Sequence, residues 1–169
     1  MRGEVPDESY EVSIGKARIL REGTDVTVVA ISHMVVEALR AIDLLEGKGV
    51  SVELIDPVSV SPLDTETILR SVAKTRRLLF VDNDWTTAGA SAEVLAVVAE
   101  AYQGWKSVQV KRLGYYPSPC PTTRPLEDAY YPDPLAIAEA LLGFFPGRSL
   151  NGGEEIEDRP EFPEFKGPF

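Results

Sequence analysis

The pattern of apolar residues between positions 24 and 63 predicts a strand, a helix and a second strand. Val26–Ile31 is a run of mostly β-branched residues, too short and too stiff for a buried helix. Gly47 and Gly49 end the helix that follows, and Val50–Ile55 forms the next strand. The helix carries one apolar stripe with steps of three and four residues: Met34, Val35, Ala38, Leu39, Ile42 and Leu45. A helical crossover of this length makes the two strands parallel.

The same reading continues on both sides of this unit. Lys16–Glu22 alternates apolar and charged residues, which is typical of a half-exposed strand, and a turn at Gly23 makes it an antiparallel edge strand. Side chains suited to helix N-caps precede three helices: Ser32, Asp64 and Asp133. The remaining predicted elements are a helix after Asp64, a strand at Leu78–Val81, a helix at Gly89–Tyr102, a strand at Val108–Leu113 and a helix at Pro134–Phe145.

Five strands and four helices alternate along the chain. This order predicts an α/β fold, a three-layer α/β/α sandwich with a five-stranded, mostly parallel sheet and one antiparallel edge strand. We expect an N-terminal arm or interdomain linker at residues 1–14, one domain at residues 15–145, and an acidic tail rich in proline and glycine at residues 146–169. Residues 114–134 contain many prolines and are expected to run along the surface as an extended segment.

Composition narrows the classes of partner. The formal net charge is −10, which disfavours nucleic acid or an anionic membrane surface as the main partner. No apolar run approaches the length that spans a membrane, and the first residues lack the apolar centre of a signal peptide. Cys120 is the single cysteine, so an internal disulfide is excluded and a reducing, cytoplasmic location is expected.

Candidate chemistry lies where the parallel strands end, because open α/β sheets bind ligands at the carboxyl ends of their strands. His33, the only histidine, follows the first parallel strand and could act as a base or bind an anion, although a plain surface role is the commoner one. Asp82 and Asp84 could bind magnesium, but acids in a turn more often cap backbone amides. The loop that contains His33 lacks the glycine pattern of a dinucleotide site, and the chain has no phosphate-binding loop of the GxxxxGK[ST] type.

The sequence around Ser91 and around Cys120 gives little support for either residue as a catalytic nucleophile. Ser91 lies in GASAE, which fails the nucleophile-elbow pattern at its last position, and Cys120 lies between prolines without a nearby base. Loop aromatics are enriched in protein interfaces, yet the same residues could simply fasten the proline-rich segment to its own domain. The aromatic residues concerned are Trp85, Tyr115, Tyr116, Tyr130 and Tyr131.

Four separated segments, in this order, carry a family resemblance: GEVPDESYEVSIGKARILREGTDVTVVA, SPLDTETILRSVAKTRRLLFVD, GASAEV and RPLEDAYYPDPLAIAEAL. Together they resemble the C-terminal domain of the beta subunit of 2-oxo acid dehydrogenases, in the transketolase C-terminal domain family. The resemblance covers roughly residues 3–143. It implies a mixed five-stranded sheet, which agrees with the pattern read from the residues alone.

The resemblance also implies a role in assembly rather than in chemistry. In such enzymes thiamine diphosphate and magnesium lie between two other domains, and this chain lacks the Gly-Asp-Gly motif of the diphosphate-binding one. Catalytic, cofactor-binding and metal-binding residues are therefore not expected in this chain. Residues 1–14 resemble the linker that follows the pyrimidine-binding domain, so the chain is expected to be a fragment or one piece of a split enzyme.

By the same resemblance, the domain builds subunit contacts. The expected partners are a second copy of the chain, a companion thiamine-diphosphate-binding alpha subunit or companion domains, and an acyltransferase core in multienzyme complexes. The apolar helix Ala88–Ala101 independently favours a dimer. The alternative is a stand-alone module that binds a small molecule with the strand-end loops. In either hypothesis the candidate interface or ligand residues are His33, Asp82, Asp84, Trp85, Gly89 and Glu93.

Overall fold

A computed structural model describes residue 7 and residues 9–102 and 107–150 of the chain. The strands are β1 (Arg18–Arg21), β2 (Val26–Ala30), β3 (Val52–Asp56), β4 (Arg77–Trp85) and β5 (Gln109–Tyr115). The helices are α1 (His33–Leu44), α2 (Thr65–Thr75), α3 (Ala90–Ala101), α4 (Arg124–Asp128) and α5 (Pro134–Leu142). All ten elements belong to one compact unit, Ile14–Leu150. Residues 1–6 and 8 of the predicted arm and residues 151–169 of the predicted tail lie outside the described residues.

The five strands form one mixed sheet in the order β1-β3-β2-β4-β5. β1 runs antiparallel to β3, and the other three neighbouring pairs are parallel. The central strand β2 is buried along its whole length, as the continuous apolar run predicts for a parallel strand covered on both faces. The predicted fold class, including the antiparallel edge strand, is confirmed.

Each face of the sheet carries its own apolar core. One core packs α1 and α5 against the sheet and includes Met34, Ala38 and Leu141. The other packs α2 and α3 against the opposite face and includes Ile68, Val72 and Val94. Successive residues of a strand point to opposite faces, so Val28 joins the first core and Val29 the second. Two helices on each face complete the three layers.

Three local predictions are wrong. The strand predicted at Leu78–Val81 was expected to end in a turn with Asp82 and Asp84, but residues Asp82–Trp85 continue β4, with an irregular register between Val81 and Trp85. Ser32 does not cap α1 with its side chain; its φ of 56° places it in the left-handed region instead. The proline-rich segment contains the short helix α4, so the described residues hold five helices rather than four.

Asp64 caps α2 as predicted, and it also fixes the segment before β1. Its Oδ1 accepts a hydrogen bond from the backbone N–H of Thr67 (3.1 Å). Its Oδ2 accepts from the Thr67 hydroxyl (2.9 Å) and from the backbone N–H of Ala17 (3.0 Å). The Ala17 N–H, opposed by burial and assisted by Thr67, holds the pKa of Asp64 below its ordinary value of 3.8.

Because the folded pKa of Asp64 is depressed, its ionised form stabilises the fold above pH 3.8, and this contribution disappears as the pH falls through the folded pKa. We expect Asp64→Asn to lower the free energy of unfolding at neutral pH by about 1–3 kcal/mol, since an amide nitrogen cannot accept these bonds. Urea denaturation at neutral and acidic pH measures the loss, which should shrink in acid. Asp43→Asn, at an exposed ion pair with Arg21, is the control and should change little.

Candidate functional site at the carboxyl end of the sheet

The loops that follow the parallel strands contain strained backbone. Ser32 after β2, Val58 after β3 and Ala88 after β4 have φ values of 56°, 64° and 60°. Residues other than glycine rarely adopt this left-handed backbone conformation, and a β-branched valine is the least suited to it. Such conformations persist only where surrounding contacts impose them. The carboxyl end of the sheet is therefore held in a defined shape by its tertiary contacts.

Asp82 ties the end of β4 to the start of α3. Its side chain is buried, with 2% of the residue exposed, and Oδ2 accepts a hydrogen bond from the backbone N–H of Ser91 (2.9 Å). Gly89 lies against this contact, because a Cβ there would be 2.5 Å from Asp82 Oδ2 and 2.3 Å from the Trp85 carbonyl oxygen. Asp84 Oδ1 accepts from the backbone N–H of Trp85 (2.7 Å). Both acids thus bind backbone amides, which supports the capping interpretation over the magnesium one.

The aromatic residues form one cluster around the end of β5. The rings of Tyr115, Tyr130 and Tyr131 have centroids 4.8–5.2 Å apart, two of the three pairs meeting edge to face. The Trp85 indole N–H donates to the Tyr130 hydroxyl (3.1 Å), and the Tyr115 hydroxyl donates to Asn83 Oδ1 (2.6 Å). Burial, with the neighbouring Tyr130 and acids, raises the pKa of Tyr115.

This cluster fastens the proline-rich segment and also faces outward. The backbone N–H of Tyr116 donates to the Tyr130 carbonyl oxygen (3.1 Å), which closes the segment into a loop. Trp85 nevertheless remains 43% exposed and Tyr116 65% exposed. Both interpretations of the aromatic residues therefore retain support: they hold their own segment, and they present a rigid apolar surface of the kind that anchors interfaces.

Cys120 and Tyr131 form a second polar contact in the segment, with 3.3 Å between Sγ and the hydroxyl oxygen. The bond to Cys120, with burial, raises the pKa of Tyr131 to about 12. A folded pKa above the ordinary value of 10.0 means that neutral Tyr131 stabilises the fold fully below pH 10, and the contribution is lost as the pH rises through about 12. We expect Cys120→Ala to lower the pKa of Tyr131 toward 10, measured by the ultraviolet absorbance of phenolate against a Tyr131→Phe reference.

His33 and Glu93, the other sequence-predicted residues, have different surroundings. His33 Nε2 is 3.1 Å from Glu37 Oε1, and the same oxygen accepts from Arg40 Nη1 (2.9 Å). Within the described part of the chain, His33 forms no hydrogen bond or ion pair with Asp82, Asp84 or Trp85. Glu93 is exposed on the first turn of α3. The structure therefore brings Asp82, Trp85 and Gly89 together, whereas His33 pairs with Glu37 and Glu93 is an exposed residue of α3.

Residues that the sequence reasoning missed complete the site. Ser91, rejected as a nucleophile, supplies the backbone N–H for Asp82, and its buried hydroxyl has no hydrogen-bond partner among the described residues. Asn83 holds Tyr115. One feature of the sequence indicated the contact between Asp82 and Ser91. Asp82 directly follows a predicted buried strand and comes shortly before Gly89, where a helix is predicted to start.

Within residues 9–102 and 107–150 no three His, Cys, Asp or Glu side chains lie close enough together to hold a metal ion. Among the described helices, none is long and apolar enough to cross a membrane. The arrangement offers a rigid, aromatic contact surface beside a well-capped helix.

Comparison with known proteins identifies relatives of this domain. The family model "Transketolase, C-terminal domain" matches residues 15–137. The chain is 36% identical over 151 residues to the beta subunit of acetoin:2,6-dichlorophenolindophenol oxidoreductase of Bacillus subtilis, covering 89% of this chain and 44% of that protein. It is 43% identical over 137 residues to the mitochondrial pyruvate dehydrogenase E1 component subunit beta of Pisum sativum, covering 81% and 38%.

A solved structure shows the same fold. It is described as a split-gene transketolase in an inactive beta4 tetramer, and it superposes with a TM-score of 0.71 at 26% identity over 83% of this chain and 45% of the other. The chain thus spans less than half the length of the relatives and of the solved protein that it matches.

Proposed function

Because the chain belongs to the transketolase C-terminal domain family, we propose that it is the assembly domain of a thiamine-diphosphate-dependent enzyme. The complete enzyme is a 2-oxo acid dehydrogenase, in which this chain belongs to the beta subunit, or a transketolase-like enzyme. The observation that carries the proposal is the match over residues 15–137, together with beta-subunit relatives at 36–43% identity. Those relatives are more than twice the length matched here, so the remaining portion is supplied by other domains or chains.

In this proposal, oxidative decarboxylation of the 2-oxo acid occurs outside this domain. Thiamine diphosphate and magnesium are bound by the companion alpha subunit or companion domains. The residues of this chain provide a contact surface for other subunits. It is formed by the rigid end of β4, the capped start of α3 and the exposed Trp85. A second copy of the chain and an acyltransferase core are further partners in the proposal, and the complex is cytoplasmic.

The experiment compares the isolated chain with the complex that contains it. The tagged chain is purified gently from its own cells, and both samples are assayed with pyruvate and branched-chain 2-oxo acids, thiamine diphosphate, magnesium and an artificial electron acceptor. We expect turnover that depends on thiamine diphosphate in the complex and none in the isolated chain. Enzyme-like turnover by the isolated chain would refute the assembly role.

The alternative of a stand-alone binding module makes a different prediction. A specific metabolite would raise the melting temperature of the isolated chain in proportion to the logarithm of its concentration above the Kd. An assembly domain shows no such stabilisation. Thermal shift measurements against 2-oxo acids and sugar phosphates therefore separate the two functions.

A further inference from the structure

The Ser91 hydroxyl, at the start of α3, is buried without a partner. Ser91 is 0% exposed, and its Oγ has no hydrogen-bond partner within the described part of the chain. A hydroxyl removed from water without a hydrogen bond destabilises the fold, so native structures seldom leave one unpaired. A bound ion or water molecule is one physical explanation for such a group.

Two further kinds of oxygen atom lie beside Ser91. Asp82 Oδ2 is 2.9 Å from the backbone nitrogen of Ser91. A Cβ built on Gly89 would lie 2.5 Å from Asp82 Oδ2 and 2.3 Å from the Trp85 carbonyl oxygen, so this carboxylate and this carbonyl are close neighbours. Carboxylate, carbonyl and hydroxyl oxygens are the ligands of hard cations. The turn from β4 into α3 therefore brings together a set of oxygen ligands.

The Asp82 carboxylate has a buried charge without a cationic partner. Asp82 is 2% exposed, and it takes part in none of the ion pairs formed within residues 9–102 and 107–150. The N-terminal dipole of α3 supplies roughly half a positive charge, which compensates only part of the carboxylate charge. Arg112 Nη1 donates to the Thr86 carbonyl oxygen instead. Because buried charges are normally paired or coordinate metal ions, Asp82 lacks a counter-ion.

Other acidic residues make the surroundings of this turn negative. Asp84 lies two residues along β4, and Glu93 lies in the first turn of α3. Burial, followed by Tyr130, Asp84 and Asp82, raises the pKa of Tyr115. The negative potential of the two aspartates thus reaches a neighbouring side chain, and the same potential attracts a cation to the turn.

We propose that the turn between β4 and α3 binds one alkali-metal cation, Na⁺ or K⁺, through Ser91 Oγ, the Asp82 carboxylate and the Trp85 carbonyl oxygen, with water completing the coordination. One carboxylate balances one monovalent charge. A site for Ca²⁺ usually has several carboxylates, and the described residues place no three His, Cys, Asp or Glu side chains together. Asp82 can bind the ion and still cap α3, because a carboxylate has about four lone-pair positions and the Ser91 N–H occupies one.

The ion stabilises a strained connection. Ala88, between the ligands, has a φ of 60°, a conformation that persists only where surrounding contacts impose it. By linking Trp85 at the end of β4 to Ser91 in α3, the cation supplies such a contact. The inference goes beyond the proposed assembly function and does not depend on it, since all the protein ligands belong to this chain.

Thermal unfolding of the full chain in different chloride salts tests the site. NaCl or KCl replaces choline chloride at constant ionic strength, so screening is the same in every sample. We expect the melting temperature to rise by about 3–6 °C at a tenfold excess over the Kd and then to saturate. Broadening of the sodium NMR signal by the chain reports binding directly, and added K⁺ should reverse it. Equal melting temperatures in all three salts overturn the inference.

Ser91→Ala separates binding of the ion from packing. In choline chloride the variant loses only an unpaired hydroxyl, so its melting temperature should equal or exceed that of the parent chain. In NaCl or KCl it lacks one ligand, so the rise should be less than half that of the parent. The matched control is Ser71→Ala, which removes a buried hydroxyl 2.6 Å from that of Thr27. This control should be less stable in every salt and keep the full rise, whereas a full rise in Ser91→Ala overturns the site.

Two aspartate variants distinguish a buried ligand from a general attraction of cations to acidic residues. Asp82→Asn keeps an acceptor for the Ser91 N–H, so α3 stays capped, but it removes the charge and should abolish both the rise and the sodium signal broadening. Asp84→Asn changes an exposed acid that bonds the Trp85 N–H and should retain most of both effects. The opposite result, with the effects lost in Asp84→Asn and kept in Asp82→Asn, places the ions at the surface and overturns the inference.

Discussion

Gly89→Ala is expected to lower the free energy of unfolding by about 3 kcal/mol and to displace the start of α3. The backbone of Gly89 is extended, with φ −76°, so alanine is conformationally allowed there. The cost is steric, because the new Cβ would be 2.3 Å from the Trp85 carbonyl oxygen and 2.5 Å from Asp82 Oδ2. The first contact is with backbone and cannot be relieved by a rotamer change. Urea denaturation followed by circular dichroism measures the loss.

The neighbouring residue supplies the matched control for this prediction. Ala88 has a φ of 60°, a conformation that glycine adopts without strain, so Ala88→Gly should leave the stability nearly unchanged. The relief of strain and the larger entropy of the unfolded chain oppose each other in that variant. If both substitutions destabilise equally, the loop is merely sensitive to change, and the close packing of Gly89 on Asp82 is not the cause.

The layers of the fold could be predicted because each depends on a periodic apolar pattern. Steps of three and four residues identified α1, and the β-branched run at 26–31 identified β2. Asp64 and Asp133 were correctly placed as N-caps, since the caps act within a few residues of sequence. The sequence was sufficient to predict a contact wherever the two interacting residues lie close together in the chain.

The end of β4 could not be predicted for the opposite reason. Asp82–Trp85 is polar and reads as a loop, but Trp85 lies in register with Tyr115 of β5, a partner 30 residues away. The contact between Asp82 and Ser91 likewise depends on the exact path of the loop between them. Such contacts arise from packing, for which the sequence gives no periodic signal.

A buried polar network between the sheet and α2 was also missed. Thr27 was read correctly as a β-branched strand residue, yet its hydroxyl lies 2.6 Å from the Ser71 hydroxyl and 2.7 Å from the Thr75 hydroxyl. All three side chains are buried, so each needs a hydrogen-bond partner. The network adds geometric specificity to an interface that apolar packing alone would leave free to slide.

At one end of this network lies Glu53, whose buried carboxylate depends on Lys74 to remain ionised. Glu53 is 2% exposed, and its carboxylate accepts hydrogen bonds from Lys74 and from the backbone N–H of Gly23 (3.4 Å). Burial alone would raise its pKa, but the bonds from Lys74, Ser71 and Gly23 prevail and hold the pKa below 4.5. The pair therefore stabilises the fold above pH 4.5, and this contribution is lost as the pH falls through the folded pKa.

Lys74→Met is expected to lower the free energy of unfolding at neutral pH by about 2–3 kcal/mol, because it leaves the buried Glu53 carboxylate without its cation. The loss is smaller than for a fully buried pair, since the Lys74 side chain is 40% exposed and partly screened by water. In this variant burial dominates and raises the pKa of Glu53. Protonated Glu53 then favours the folded state at low pH, and stability falls as the pH rises through the raised pKa.

The dependence of the free energy of unfolding on pH therefore shows whether the Glu53 carboxylate causes the loss of stability in Lys74→Met. Urea denaturation of Lys74→Met from acid to neutral pH should show a deficit that grows with pH, opposite to the pH dependence of the Glu53–Lys74 pair in the parent chain. Adding Glu53→Gln removes the charge and should recover most of the lost stability at neutral pH, because the amide retains the size of the carboxyl group and bonds to Ser71. A deficit that is constant across pH, or that the double variant does not repair, would attribute the loss to the packing of the Lys74 side chain instead.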